Sequence, residues 1–278
     1  MSAFTLPRST RPIAVGALFA ALTMSAPAFA DVVIYNSIPS PLPTNVTSLG
    51  YECCEVNEFG NEVGFSGTAR QLTDVTVTMS NWAYQSVYPG FGTATGFTVP
   101  LTLNLYNAGA GGAVGSLIAT DTINAFIQWR PEPDGCSGVG STTFTGSGGC
   151  FNGLAENVTF DFTGVTVPDQ VIYGLAFNTY SYGAAPTGVQ GPYDSLNFGL
   201  TTTSPSVGTN VVPGTLDINA AGPYPVTSAT PGTFGPDTNW APYSPAIEFD
   251  ATVPEPATFS VLAIGLAGLA AARRRRRS

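Results

Sequence analysis

Polar and apolar residues alternate with a period of two along several stretches of the chain. In the first of these, Val75, Val77 and Met79 alternate with polar residues, and the same pattern runs through 97–106 and 157–163. Successive side chains of a strand point to opposite faces of a sheet, so each stretch is predicted to be a strand with one buried face. No central segment shows an apolar period of 3.6 residues, which argues against a helical fold.

Four further features complete the strand prediction. Val171–Phe177 is apolar on both faces and is therefore predicted to be a central strand. Pro100 has no N–H to donate, which places it at a sheet edge or a bulge. Leu117–Trp129, Leu196–Thr202 and Ala246–Asp250 are predicted as additional strands. The predicted fold is all-β, an antiparallel β-sandwich that is jelly-roll-like.

Two long stretches have the composition of loops. Pro39–Gly67 contains prolines, glycines and an acidic cluster, and Gly183–Pro245 is rich in Gly, Pro, Ser and Thr apart from the strand at 196–202. Neither stretch carries enough charge to predict disorder. Both are predicted to be long ordered loops on the sandwich.

The N-terminus has the organisation of a secretory signal. A segment with two arginines precedes an apolar stretch, 13–22, that is too short to span a bilayer as a helix. Ala28 and Ala30 then form a small-x-small cleavage site, so the mature chain is predicted to begin at Asp31. An uncleaved anchor is the alternative.

The C-terminus has three parts in a fixed order. Two prolines that cannot donate backbone hydrogen bonds come first, in the motif Val253, Pro254, Glu255, Pro256 and Ala257. An uncharged apolar run follows to residue 272, about 24 Å long as a helix against a hydrocarbon core of roughly 30 Å. The chain closes with the basic cluster Arg273, Arg274, Arg275, Arg276 and Arg277. These arginines are expected to stay cytoplasmic, with the rest of the chain across the membrane.

This tail closely resembles the PEP-CTERM sorting signal of Gram-negative bacteria, and the resemblance covers about a tenth of the chain. It implies recognition and removal of the tail by an exosortase, and an association with exopolysaccharide and biofilm matrix. The same tail is also labelled an ice-binding protein C-terminal domain, but no Thr-x-Thr array at a fixed period supports that role. An ordinary C-terminal membrane anchor is the alternative interpretation.

These features divide the chain into a signal peptide with its helix at 1–30, a β-sandwich domain at 31–252, and a sorting tail with a transmembrane helix at 253–278. Arg70 and Arg130 are the only basic residues of the central domain, which is therefore strongly acidic. This charge disfavours nucleic acid as a partner. It is compatible with Ca²⁺, but no acidic calcium-loop motif is present, so neither a metal site nor a cofactor is predicted.

The chain contains four cysteines, which are Cys53, Cys54, Cys136 and Cys150. An even number in an exported chain predicts disulfides. A bond within the vicinal pair is sterically strained, which favours crossed pairing or a bond between Cys136 and Cys150 alone. A zinc site is disfavoured because the chain has no histidine and no C-x-x-C motif.

The composition excludes several classes of enzyme. Without histidine there is no Ser-His-Asp or Cys-His site, and without lysine there is no Schiff-base chemistry. A carboxylate pair of the glycosidase type is the remaining route. Its candidates are Glu52, Glu55, Glu132, Asp134 and Asp161. Solvated loop carboxylates are the expected interpretation, and the chain is predicted not to be an enzyme.

Aromatic residues are concentrated in the predicted loops. The clusters are Trp82, Tyr84, Tyr88 and Phe91; Tyr180, Tyr182 and Tyr193; and Tyr224, Trp240 and Tyr243. They either close the ends of the sandwich or expose flat apolar faces on which sugar rings stack. Trp82 and Trp240 are the best stacking candidates, because each follows an asparagine that can hydrogen-bond hydroxyl groups.

The sequence thus predicts an exported protein with a structural or adhesive role at the cell surface or in the extracellular matrix. Before processing, its tail is expected to hold it at the inner membrane with the domain in the periplasm. Exosortase and exopolysaccharide are the predicted partners. A carbohydrate-binding module is the alternative function, and a carboxylate-pair glycosidase is a distant third.

Overall fold

The computed structural model describes residues 29–137, 142–183, 188, 190–220, 233–254, 265 and 273. Within these residues the protein is all-β, with two seven-stranded antiparallel sheets and a separate hairpin. The described part contains no helix with the length and apolarity needed to cross a membrane. The predicted signal helix and all of the predicted transmembrane helix except Gly265 lie outside the described residues.

The first sheet has the order β1-β16-β4-β11-β15, with β2 also paired to β11 and β9 to β4. Its strands are β1 (Phe29–Asn36), β2 (Thr47–Gly50), β4 (Gln71–Asn81), β9 (Leu154–Asp161), β11 (Leu196–Thr201), β15 (Ser244–Pro245) and β16 (Ile247–Pro254).

The second sheet has the order β14-β13-β3-β10-β5-β6, with β12 also paired to β3. Its strands are β3 (Val56–Gly64), β5 (Gly96–Ala108), β6 (Val114–Gln128), β10 (Gln170–Ala176), β12 (Thr209–Asn210), β13 (Thr215–Ala220) and β14 (Phe234–Thr238). The hairpin is formed by β7 (Phe144–Gly146) and β8 (Gly149–Phe151), and one short helix, α1 (Tyr51–Cys54), separates β2 from β3.

The core lies between the two sheets. Phe59 of β3 packs against Phe198 of β11 with ring centroids 5.0 Å apart, and Tyr173 of β10 packs against Phe249 of β16 at 5.8 Å. Val75 of β4 is fully buried in the same cluster, as the alternating pattern predicts. Burial of this apolar surface between the sheets stabilises the sandwich.

Side chains also join the sheets along one side. The backbone N–H of Asp161 in β9 donates to the Asp121 carboxylate of β6 at 3.0 Å. The N–H of Gln128 in β6 donates to the Glu156 carboxylate of β9 at 3.0 Å. Peptide groups at these strand edges are thus satisfied by side chains of the opposite sheet.

Two detailed strand predictions are confirmed. Strand β10, predicted as Val171–Phe177, is central because it lies between β3 and β5. The ladder between β10 and β5 stops at Thr102, so Pro100 lies where β5 has lost that neighbour. Its missing N–H therefore removes no bond with β10, in agreement with the predicted edge position.

The prediction that Pro39–Gly67 and Gly183–Pro245 are long loops is wrong in part. The first contains β2, α1 and the nine-residue strand β3, which lies inside the second sheet. The second contains β12 to β15 in addition to β11. Strand β3 carries Glu58 and Glu62 among its residues, so its sequence lacks the clear apolar alternation by which the other strands were identified.

The two ends of the domain are neighbouring strands. β1 and β16 pair antiparallel from Phe29 opposite Pro254 to Asn36 opposite Glu248. The strands therefore extend two residues beyond the predicted domain boundaries at 31 and 252. This arrangement places the predicted signal cleavage site beside the start of the predicted sorting motif.

Candidate functional site

Trp82 lies directly after β4, and both of its peptide groups are fixed. Its N–H donates to the Ser195 carbonyl at 2.9 Å, and its carbonyl accepts from Nε of Arg130 at 2.8 Å. The indole Nε1 donates to the Ser80 hydroxyl at 3.0 Å. The residue is nevertheless 42% exposed. A large aromatic side chain is thus held in one position while much of its surface faces solvent.

A glycine allows the indole to lie against the sheet. A Cβ atom built at Gly153 would come within 2.6 Å of Trp82 Cδ1 and 2.7 Å of Nε1, closer than any real contact. Any larger residue at 153 would therefore displace the indole from its present position. The ring edge formed by Cδ1 and Nε1 of Trp82 is thus close to the backbone at Gly153.

Trp82 borders a groove of about 260 Å³, together with Ser48, Gly50, Asp194, Ser195 and Asn197. The lining comes from β2, from a 3₁₀ turn at 192–195 and from β11, which pairs with β2. The groove thus combines one aromatic surface with two hydroxyls, an amide and a carboxylate. This mixture of a flat apolar face and a few polar groups is suited to a small polyhydroxylated ligand.

Two polar groups of the groove are held in place by hydrogen bonds. With the Asn197 carboxamide oriented to satisfy both of its ends, its oxygen accepts from the Ser48 hydroxyl at 3.2 Å and shares the single indole N–H of Trp82, at 3.2 Å, with the Ser80 hydroxyl. The Asp194 carboxylate accepts from the Tyr180 N–H at 2.9 Å. Burial raises the pKa of Asp194, and the nearby Glu52 carboxylate raises it further.

Arg130, which donates to the Trp82 carbonyl, is buried beside it. It is 3% exposed, and its Nη1 donates to the Pro131 carbonyl at 3.0 Å. Its guanidinium lies 4.3 Å from the centroid of the Tyr84 ring and 5.7 Å from that of Phe144. Burial lowers the pKa of this guanidinium. The aromatic rings and the carbonyl groups stabilise the buried positive charge of Arg130. Through these contacts Arg130 connects the Trp82 backbone to Tyr84 and Phe144.

Trp240, the second predicted stacking residue, is placed differently. It is partly buried against the hydrophobic core, and its Nε1 donates to Oδ2 of Asp237 at 2.9 Å. Its N–H donates to the Gly214 carbonyl at 2.8 Å. The two tryptophans do not line the same groove, and of the two it is Trp82 that is among the exposed large hydrophobic residues.

Several of the other loop aromatics close one end of the sandwich. Tyr88 stacks on Trp129 with centroids 6.2 Å apart, and Tyr193 contacts Phe97 edge-on at 5.9 Å. Tyr180 is 48% exposed and is the exception among the described tyrosines of this group. Tyr224 lies outside the described residues.

The five candidate catalytic carboxylates each accept hydrogen bonds from nearby loops or turns. Their donors are Ser181 N–H for Glu52, Tyr182 hydroxyl for Glu55, Ser86 for Glu132, the N–H groups of Cys136 and Thr145 for Asp134, and Thr163 N–H for Asp161. Hydrogen bonds from the side chain and backbone of Thr145 and from the Cys136 N–H lower the pKa of Asp134, and bonds from the side chain and backbone of Thr163 lower that of Asp161. The carboxylates thus stabilise loops at three separate places in the fold.

A different set of carboxylates lies buried or half-buried on the second sheet and was not predicted as a site from the sequence. Glu58 and Glu62 of β3 and Asp217 of β13 lie in segments that were predicted to be loops. Burial raises the pKa of all three, and that of Asp217 to about 7. The only signal in the sequence was the even spacing of Glu58 and Glu62, which places both on one face of a strand. That signal has no meaning in a segment that is predicted to be a loop.

The structure contains a disulfide between Cys136 and Cys150, with Cα atoms 5.8 Å apart. This bond excludes the crossed pairing that the sequence left open, but the other expectation, a bond between Cys136 and Cys150 alone, is only partly correct because a second disulfide is present. The bond joins the segment after β6 to strand β8. Cys54 is also disulfide-bonded, whereas the side chain of Cys53 lies outside the described residues.

The targeting residues are described only in part. Ala30 and Asp31 are exposed in β1, and Val253 is exposed in β16, which ends at Pro254. Arg273 is exposed. Ala28, Glu255, Pro256, Ala257 and Arg274 to Arg277 lie outside the described residues.

Residues 252–277 match the family model of the PEP-CTERM protein-sorting motif. The chain therefore carries a PEP-CTERM sorting signal, which marks an exported protein that is anchored through its tail before exosortase processing. No curated protein and no solved structure shows significant similarity to the chain. The sorting signal thus has known counterparts, and the function of the sandwich must be argued from its own geometry.

Proposed function

We propose that the sandwich is an adhesive domain of the cell surface or extracellular matrix, and that the groove at Trp82 binds polysaccharide. The exposure of Trp82 carries this proposal, because its backbone, its indole nitrogen and one ring edge are all fixed. A rigid aromatic surface loses little entropy when a ligand covers it. An adhesive role agrees with a chain that is exported for sorting.

The chemistry of the groove favours sugar over a purely apolar ligand. A sugar ring offers an apolar face to the indole and hydroxyl groups to Ser48, Asp194, Ser195 and Asn197, which line the groove. A groove of about 260 Å³ is smaller than the usual drug-sized site. It suits one or two sugar units, so strong retention requires many contacts along a polymer.

Charge narrows the class of polysaccharide. Asp194 lines the groove, Glu52 lies near it, and Arg70 and Arg130 are the only basic residues between Asp31 and Thr252. An anionic polymer would be repelled by this domain. We therefore expect neutral or amino-bearing glycans to bind, without chemical conversion, since the candidate catalytic carboxylates stabilise loops at separate places.

The test is retention of the exported domain on the producing cell's own polysaccharide and on a panel of neutral, amino and acidic glycans. Replacing Trp82 with alanine should weaken binding by about ten-fold or more, the equivalent of roughly 1.4 kcal/mol. Trp240→Ala is the matched control and should retain the polymer if its fold survives. Binding by wild type that persists unchanged in Trp82→Ala would contradict the site, and turnover of any glycan would contradict the non-enzymatic role.

A further inference from the structure

Glu62 and Asp217 are brought together on the outer face of the second sheet. Asp217 of β13 pairs with Gly60 of β3, so these two residues share a face. Glu62 lies two residues along β3 and points to that same face. Gly60 has no side chain, so no side chain lies directly opposite Asp217 on β3. Diagonal neighbours of this kind lie within reach of each other across a sheet.

Both carboxylates are buried without compensation. Asp217 is 3% exposed and Glu62 is 5% exposed. Oδ1 of Asp217 and Oε2 of Glu62 have no hydrogen-bond partner, and both residues line one small cavity of about 20 Å³. A buried carboxylate without a donor or a counter-charge is strongly destabilising. The cavity is large enough to hold one water-sized species.

Glu58, on the same strand, is a carboxylate whose hydrogen-bond donors come from the protein itself. Its Oε1 accepts from Asn104 Nδ2 and from the Tyr106 hydroxyl, each at 2.9 Å. Gly174 makes room for it, since a side chain at that position would collide with the carboxylate. The unpartnered oxygens of Glu62 and Asp217 have no such donors in the described part of the chain.

The domain also has no basic side chain to neutralise the pair. Arg70 lies in an ion pair with Asp169 at 2.9 Å, and Arg130 is held at Trp82. The central domain contains no other arginine and the chain contains no lysine or histidine. The compensating charge must therefore come from solution.

From this geometry we infer that Glu62 and Asp217 bind a divalent cation, with Ca²⁺ the best fit. Ca²⁺ takes oxygen ligands in flexible arrangements, whereas Mg²⁺ requires near-ideal octahedral geometry. Asn61, Thr215 and the turn at Gly111 and Gly112 also line the cavity, and a Cβ atom built at Gly112 would lie 3.4 Å from Oε2 of Glu62. The described residues contain no cluster of three or more acidic, cysteine or histidine ligands. Hydroxyl and carbonyl oxygens of the cavity wall therefore supply the remaining ligands, because the ion itself fills the cavity.

The experiment uses chelator-treated exported protein, titrated with CaCl₂ and separately with MgCl₂. Binding of one Ca²⁺ per chain is expected by calorimetry, and the Tm should rise by roughly 5 °C or more at saturating Ca²⁺. Asp217→Asn and Glu62→Gln should each weaken Ca²⁺ binding by at least ten-fold. Asp217→Asn also removes a buried charge, so this variant is expected to fold without the ion.

Glu58→Gln is the matched control, because Glu58 lies on the same strand and face but has protein donors. It should keep the Ca²⁺-dependent rise in Tm relative to its own ion-free form. The inference is overturned if 10 mM CaCl₂ neither binds nor shifts the Tm of wild type, in which case the pair holds a proton instead. It is also overturned if Asp217→Asn and Glu62→Gln bind Ca²⁺ as wild type does.

Discussion

Asp31 lies directly opposite Thr252 in the antiparallel ladder of β1 and β16. Two further pairs, Ala30 with Val253 and Phe29 with Pro254, exist only while the residues before Asp31 are present. Cleavage after Ala30 would leave Asp31 and Thr252 as the last pair. The match to the sorting motif begins at Thr252. The motif would then start where the folded domain ends, accessible to a membrane enzyme.

Processing at both ends can be read from mass. Exported protein should begin at Asp31, and protein released from the cells should have lost Arg273 to Arg277. We expect both cuts because the signal cleavage site and the sorting motif lie next to the pair Asp31 and Thr252, at the end of the folded domain. Intact-mass spectrometry measures both changes. Released protein that still carries the arginine cluster would show that the tail is an anchor and is not processed.

Trp129 and Trp82 should differ in their effect on stability. Trp129 is 8% exposed and packs against Tyr88 and Phe97, so Trp129→Ala should cost about 3–5 kcal/mol of unfolding free energy. Trp82→Ala should cost clearly less, because 42% of that residue is already exposed. Chemical denaturation of both variants measures the difference. Equal losses would mean that Trp82 is a core residue.

The disulfide between Cys136 and Cys150 closes a loop with a sequence separation of 14. Replacing both cysteines with serine should lower the unfolding free energy by roughly 3 kcal/mol, because the unfolded chain gains loop entropy. Thermal melts with and without reductant provide the measurement. Quantitative alkylation of Cys136 and Cys150 in freshly exported, unreduced protein would contradict the bond itself.

Arg130 should tolerate no substitution, conservative or otherwise. Arg130→Ala removes a buried charge, its two carbonyl contacts and its contact with Tyr84, and should cost about 2–4 kcal/mol. Arg130→Lys should rescue little of this loss, since an ammonium group cannot reproduce the planar contacts. Denaturation curves test both variants. Full stability in Arg130→Lys would show that charge alone is required.

Stability in the presence of chelator should fall as the pH rises from about 4 to about 7. Burial and the neighbouring Glu62 raise the pKa of Asp217 to about 7, and Tyr173 also lies within its electrostatic reach. The folded protein therefore binds a proton that the unfolded chain releases near its ordinary pKa of 3.8. This difference of about three between the folded and unfolded pKa of Asp217 corresponds to a loss of at most roughly 4 kcal/mol in unfolding free energy.

Melts between pH 4 and 8 measure this dependence, and Asp217→Asn should flatten it. The flattening is expected to be incomplete, because burial also raises the pKa of Glu156 to about 7 and of Asp250 to about 6. A wild-type Tm that climbs steadily from pH 5 to pH 7.5 would contradict the uncompensated burial of these groups.

The alternation of polar and apolar residues predicted those strands that have one apolar face. The alternation in β4, β5 and β9 identified them to within three residues at each end, because apolar residues recur on one face of each strand. β3 and β13 were missed since their outer faces carry Glu58, Glu62 and Asp217, of which Glu62 and Asp217 are buried by other parts of the fold. Burial of such residues depends on distant chain segments, so a short window of sequence does not contain it.

The sequence by itself determined the all-β class and the sorting tail, because strand alternation and targeting motifs are local and need no folded partner. Only the tertiary structure decided which aromatic residue is exposed and which carboxylates are buried together. Trp82 and Trp240 have the same preceding residue, yet one borders a groove and the other packs against the core. Gly60 opposite Asp217 brings Glu62 within reach through a pairing of residues more than 150 positions apart. Exposure and charge pairing follow from such long-range packing, which alternation along one strand does not specify.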